Sequence, residues 1–173
     1  MKTSRLFALG LLASTTALAA PKSALRLQTS NNDVSVQVTD QSLSGSDMQL
    51  KLANDTLRGQ AFGRPVDLTL KNDTVRGQYG GKPVDLKVTD REEILEAEGT
   101  FGGQLTSFQV GPQQVTGTVG LCNYQLLITR HDRYEGWRTC GEKLDRSVSL
   151  YVPARLADEN DELAAALSLL LAQ

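Results

Sequence analysis

"NDTLRGQAFGRPVDLTLK", residues 54–71, is followed directly by "NDTVRGQYGGKPVDLKVTD", residues 72–90, so the chain repeats itself at an interval of about 18 residues. Within the second copy apolar and polar side chains alternate. Val75, Gly77 and Tyr79 fall on one side of the segment, and Thr74 and Arg76 fall on the other. This alternation predicts a β-strand with one buried face.

The connection between the two copies predicts a tight hairpin. Asn72 and Asp73 tolerate positive φ, and a turn centred on them pairs Leu70 with Val75. All apolar residues of both strands then share one face. A slip of one residue would expose the whole apolar set to water, so this register is strongly favoured.

The connection inside the second copy predicts another hairpin. Glycine at the first position of a Gly81–Lys82 turn is typical of type II′, and such a turn pairs Tyr79 with Val84 and Gly77 with Leu86. The same apolar face is preserved. The repeat is therefore interpreted as a hairpin unit.

Fainter copies of the unit extend in both directions along the chain and predict an all-β fold. Successive hairpins form an antiparallel up-and-down meander of about a dozen short strands, which closes or nearly closes into a barrel, or flattens into a sandwich. A β-solenoid is the competing architecture. It is disfavoured because Gly81 and Lys87 would then fall at core positions.

Glycines recur at one position of the repeat on the inward face of the predicted sheet. A missing side chain there permits sharp coiling or close approach of a neighbouring strand. We therefore interpret these glycines as structural rather than catalytic. They are Gly59, Gly77, Gly99 and Gly117.

The first residues have the three-part pattern of a secretory signal. A basic start with Lys2 and Arg5 precedes an apolar stretch over 6–13 and small residues at 17–19. We expect cleavage after Ala19 and export to the periplasm, the cell surface or the exterior, with no transmembrane segment in the mature chain. Residues 20–157 form the predicted β domain, and residues 158–173 a helix packed on it.

The predicted helix lies in "ADENDELAAALSLLLAQ", residues 157–173. Asp158 suits the N-cap, and acidic residues follow in the first turn, where the helix dipole favours them. Leucines at 163, 167, 170 and 171 fall on one side. This apolar side predicts that the helix covers an end or open seam of the sheet, and a partner surface is the alternative because Leu169 lies on the opposite side.

Charge and cysteine content narrow the functional classes. The chain has 18 basic and 20 acidic residues, and removal of the signal makes it more acidic, which argues against nucleic acid as a partner. Two cysteines, Cys122 and Cys140, would meet an oxidising compartment after export, so a disulfide is predicted. A pair of free buried thiols is the alternative.

The most distinctive surface candidate is "RHDRYEGWRTC", residues 130–140. Its basic and aromatic side chains, including the single tryptophan, are typical of recognition surfaces. Pairing of the two cysteines turns Trp137 outward, whereas a bulge could return it to the core, so both placements stay open. The predicted binding residues are Arg130, His131, Arg133, Tyr134, Trp137 and Arg138.

No catalytic constellation is predicted. The chain has one histidine and no Gly-x-Ser-x-Gly motif, so we expect no catalytic residues, no metal site and no cofactor. The first functional hypothesis is a non-enzymatic structural or binding protein of the cell envelope. A carrier of an apolar small molecule or lipid inside a barrel is second, and an inhibitor of an extracellular enzyme acting through residues 130–140 is third.

The meander is similar in outline to lipocalin-type barrels. Those proteins carry a Gly-x-Trp signature near the first strand, which is absent here because the single tryptophan is Trp137. The resemblance therefore concerns the fold alone.

Overall fold

Successive hairpins lie side by side until the first strand pairs with the last, which closes the sheet into a barrel of fourteen antiparallel strands. This computed structural model describes residues 24–130 and 132–173. The predicted signal at 1–19 and the candidate residue His131 lie outside the described residues. The strands are β1 Ala24–Gln28, β2 Asp33–Thr39, β3 Ser42–Gly45, β4 Met48–Ala53, β5 Thr56–Ala61, β6 Arg64–Leu70, β7 Thr74–Tyr79, β8 Lys82–Arg91, β9 Ile94–Phe101, β10 Gln104–Val110, β11 Gln114–Val119, β12 Cys122–Arg130, β13 Arg133–Cys140 and β14 Lys143–Tyr151. Two helices follow, α1 Ala154–Ala157 and α2 Asn160–Leu171.

The turn between the two repeat copies is as predicted. Asn72 and Asp73 have φ values of 54° and 58°, and Leu70 pairs with Val75 across β6 and β7. Positive φ at both central residues is the signature of a type I′ hairpin turn, which follows the twist of the strands. The predicted antiparallel meander and its barrel closure are confirmed.

The turn after β7 differs from the prediction in type and position. Its central residues are Gly80 and Gly81, with φ values of 60° and 76°, so it is type I′ rather than type II′. Moving the turn by one residue shifts the pairing by two, and Tyr79 pairs with Lys82 instead of Val84. A shift of two keeps every side chain on its face, so the inward apolar set is unchanged.

The repeated glycines allow neighbouring strands to approach closely. A Cβ on Gly77 would collide with the carbonyl oxygen of Asp67 on β6, and one on Gly59 would collide with that of Gln49 on β4. Their φ values, 143° and 146°, also disfavour residues with a side chain. Gly45, Gly99, Gly117 and Gly136 occupy the same position on other odd-numbered strands.

The predicted C-terminal helix is confirmed as α2, but it lies inside the barrel and not over an end or seam. Residues from Ala164 to Leu171 are fully buried on every side of the helix. A helix that is apolar all round must be surrounded, and a barrel of this strand number is too wide for its own side chains to fill. The helix therefore supplies the centre of the hydrophobic core. It also starts later than predicted, with Glu159 rather than Asp158 at the N-cap position.

The two ends of α2 mark the two ends of the barrel. We call the end of the barrel at which α2 begins the entry end, and there Asn160 donates a hydrogen bond to Asp90 on β8. At the far end, Tyr124 on β12 donates a 2.7 Å hydrogen bond to the carbonyl oxygen of Leu171. Arg138 on β13 donates hydrogen bonds to the Tyr124 hydroxyl oxygen and to the main-chain oxygen of Gln173. The helix thus spans the lumen.

Candidate binding surface on the outer wall

A disulfide sets the register of the hairpin that contains the candidate residues. Cys122 and Cys140 are bonded and pair directly across β12 and β13. From this pair, Gln125 lies opposite Trp137, and Gln125 is exposed on the outer face. Trp137 consequently faces outward and is partly exposed, which resolves its placement in favour of the surface.

Two bulges interrupt the ladders on either side of β13. Between β12 and β13 the register shifts at Thr129, and between β13 and β14 a single residue, Trp137, stands opposite two residues, Arg146 and Ser147. Such two-against-one arrangements bend a strand and redirect its side chains. No other pairing in the described part of the barrel has a register shift.

The predicted binding residues are divided between two faces of the wall. Arg130 and Arg133 pair at the entry end and are exposed, and Trp137 lies farther along the outer face. Tyr134 is buried, and its hydroxyl donates a hydrogen bond to the carbonyl oxygen of Gly111. Arg138 points into the barrel towards α2, so these residues do not form one continuous surface.

Two adjacent cavities open on the outer wall at the second bulge, and together we call them the outer groove. One has a volume of about 530 Å³ and is lined by Gly136, Trp137, Thr139, Leu144 and Arg146. The other has a volume of about 520 Å³ and a more polar lining, with Gln28, Thr29, Arg133, Glu135, Gly136 and residues 146–149. Gly136 and Arg146 line both cavities, so the groove is continuous there.

Leu144 and Arg146 belong to this surface although they are not among the binding residues predicted from the sequence. Leu144 has the same parity as the inward residues Val148 and Leu150, so alternation alone predicts it to be buried. The bulge reverses the parity, and Leu144 is 52% exposed beside Thr139. No sequence signal marks this bulge, which is why residues 143–147 were missed.

Exposed apolar side chains are concentrated in the later strands. Among the described residues, the large hydrophobics with high exposure all follow β8. Isolated exposed leucines are common on proteins, but a partly exposed tryptophan next to an exposed leucine in a concave site is typical of a contact surface. These exposed side chains are Ile94, Leu105, Leu121, Leu127 and Leu144.

A second concave region lies at the entry end and is strongly acidic. A cavity of about 510 Å³ is lined by carboxylates of the hairpin turns and of the first turn of α2, including Asp55, Asp73 and Asp161. Burial, with the nearby carboxylates of Asp73 and Asp55, raises the pKa of Asp161. Arg155 offsets part of this charge through ion pairs with Glu162 at 2.7 Å and Asp40 at 2.9 Å.

The part of the chain that the structure describes contains no group of three or more His, Cys, Asp or Glu side chains arranged to hold a metal ion. The carboxylates that line the acidic cavity at the entry end therefore form no such group.

The helices over the described ranges are too short or too polar to cross a bilayer.

Comparison with known proteins identifies no relative. No protein-family model matches the chain, and neither the curated proteins nor the solved structures contain a match.

Proposed function

We propose that this protein is an exported, non-enzymatic binding module that engages a protein partner of the cell envelope or exterior through the outer groove. The observation that carries the proposal is the outward placement of Trp137 in a cavity with Leu144 and Arg146. Tryptophan and arginine are the side chains most enriched at binding hot spots.

The frame around the groove supports this role. The disulfide Cys122–Cys140 restrains the hairpin that presents Trp137, and a rigid surface loses little conformational entropy on binding. A disulfide also fits an oxidising compartment, in agreement with the predicted export signal. An inhibitor of an extracellular enzyme would be a special case in which the partner is that enzyme.

The carrier alternative has less support because α2 occupies the lumen. A ligand inside the barrel would have to displace the helix, whose residues Ala164–Leu171 are fully buried there. A fluorescent lipid probe should therefore show no binding to the folded protein. Saturable binding that removes the protection of α2 amides while the strands stay protected would favour the carrier role instead.

The test compares partner capture by three forms of the protein from an envelope and extracellular fraction of its own host. Wild type and the control Leu105→Ser, whose residue is 80% exposed outside the groove, should capture the same partner. The double variant Trp137→Ala/Leu144→Ser should capture at least tenfold less, since hot-spot truncations cost about 2 kcal/mol or more. Equal capture by all three forms contradicts the proposal.

A further inference from the structure

The partner's chemistry follows from the outer groove, and this inference rests on the proposed function. We propose that the groove binds an extended peptide segment that carries a large apolar side chain and a carboxylate within two residues of each other. The apolar side chain contacts Trp137 and Leu144, and the carboxylate pairs with Arg146.

Arg146 is the available cation of the groove. Arg133 already pairs with Glu135 at 2.7 Å, and Arg138 points inward to the main-chain oxygen of Gln173. Arg146 is exposed and forms no ion pair within the described ranges 24–130 and 132–173. Its sequence neighbour Asp145 accepts hydrogen bonds from Ser30 instead.

An exposed guanidinium next to apolar surface favours a carboxylate ligand. Arginine binds carboxylates through two parallel hydrogen bonds, and these bonds are stronger when water is excluded by neighbouring apolar groups. Trp137, Leu144 and Arg146 line the same cavity, so one short segment can reach all three. The apolar and acidic groups of the ligand must therefore be close in its sequence.

The barrel architecture restricts how a peptide can bind. The closed barrel leaves little strand edge free, since its first and last strands pair over Arg26–Gln28 and Ser149–Tyr151, so side chains of the wall make most of the contacts. The more polar half of the groove supplies Glu135, Ser147 and Ser149 as hydrogen-bonding groups for the peptide backbone. These polar groups, Glu135 above all, fit a peptide better than an acyl chain or an anionic membrane surface.

The first step of the test is an unbiased selection. Phage-displayed random heptapeptides are selected on wild type, on Arg146→Glu and on Lys51→Glu. Lys51 is a matched control because it is exposed on β4, away from the groove, and its replacement makes the same charge change. Peptides enriched on wild type and Lys51→Glu should carry Asp or Glu within two residues of an aromatic or large aliphatic residue. Absence of acidic bias overturns the inference.

The second step measures affinity for one enriched peptide that lacks tryptophan. Trp137 is the single tryptophan of the chain, so its fluorescence reports occupancy of the groove directly. The dissociation constant should rise at least tenfold for Arg146→Glu and for the milder Arg146→Gln, and less than twofold for Lys51→Glu. Replacing the peptide's acid by lysine should restore binding to Arg146→Glu. Equal affinity of wild type and both Arg146 variants overturns the inference.

The two proposals fail in different ways. If Trp137→Ala abolishes partner capture while Arg146→Glu leaves it unchanged, the outer groove is a binding surface but the acidic ligand is wrong. If neither variant changes capture, both proposals are wrong. Self-association that depends on Trp137, measured by sedimentation, would identify a second copy of the chain as the occupant and overturn the peptide inference. Thermal unfolding of each variant confirms that the fold is retained.

Discussion

The wall formed by β4–β8 and the wall formed by β12–β14 are built from the same hairpin pattern but differ in regularity. The first, which we call the repeat wall, has continuous ladders and exposed ion pairs at equivalent repeat positions, Arg58–Asp67 at 2.9 Å and Arg76–Asp85 at 3.0 Å. The second, which we call the irregular wall, has two bulges, the disulfide and the outer groove.

The difference separates the wall that repeats one building pattern from the wall that we propose for recognition. Exposed ion pairs such as Arg58–Asp67 add little stability, so the repeat wall presents a charged, soluble surface over a well-packed interior. The irregular wall departs from the pattern only where the bulges redirect side chains. Bulges commonly lie next to functional sites, and here they place Trp137 and Leu144 on the outside together.

The largest effect is expected from breaking the repeat wall at a glycine. Gly77→Val should destabilise the protein by more than about 3 kcal/mol, because the side chain collides with the Asp67 carbonyl and the backbone has a positive φ. Chemical denaturation with urea measures the change. Gly63→Asn is the control, since nothing lies near a Cβ there and Asn tolerates the turn conformation. If Gly77→Val is as stable as wild type, Gly77 is not needed for the close approach of β6 and β7.

Removal of the disulfide tests whether the irregular wall needs its covalent link. The double variant Cys122→Ser/Cys140→Ser should lose about 3 kcal/mol of unfolding free energy, because the two cysteines are separated by 18 residues and the bond restrains the unfolded chain. Urea denaturation of oxidised wild type and the double variant measures it. Identical urea midpoints of the two proteins would show that the irregular wall is stable without the bond.

Tyr124→Phe tests the contact between the irregular wall and α2. Loss of the hydroxyl leaves the buried Leu171 carbonyl without its partner and removes one acceptor of Arg138. We expect a loss of about 1–3 kcal/mol in thermal or urea unfolding. Tyr151→Phe, on β14 of the same wall, serves as a control for loss of a tyrosine hydroxyl. An unchanged stability of Tyr124→Phe would mean that this bond does not hold the helix.

Alkaline pH should weaken the same contact more gradually. Burial raises the pKa of Tyr124 above its ordinary value of 10.0 in the folded protein. The unfolded chain therefore loses this proton first, so stability should be constant up to about pH 10 and fall as the pH rises towards the folded pKa. Urea midpoints between pH 8 and 11 measure the slope. Tyr124→Phe should reduce that slope, and an unchanged slope would assign it to other groups.

The apolar alternation and the Asn72–Asp73 turn were enough to predict the meander and most inward residues, because a slip of one residue is so costly. The exact register after β7 was not predictable in the same way. Turns at Gly80–Gly81 and Gly81–Lys82 keep the same parity, so the burial pattern cannot distinguish them. Two adjacent glycines allow positive φ at both turn positions, which decides for type I′.

The position of α2 and the outer groove depend on properties of the closed barrel. Apolar residues lie on all sides of α2, for example Ala165 and Leu169, and this pattern predicts a helix that is surrounded by protein. The groove depends on a bulge that places Arg146 and Ser147 opposite Trp137, and such a bulge leaves no mark in residue alternation. Sequence patterns therefore predicted the regular wall better than the irregular one.

Helix α2 fills the lumen, and in our proposal this leaves the outer wall as the surface for recognition. Native-state hydrogen–deuterium exchange over residues 164–171 measures whether the helix stays enclosed. We expect these amides to exchange as slowly as the best-protected strand amides, through global unfolding only. Rapid exchange of this segment while β6–β9 stay protected would show that the helix leaves the barrel, and would overturn its placement as the centre of the core.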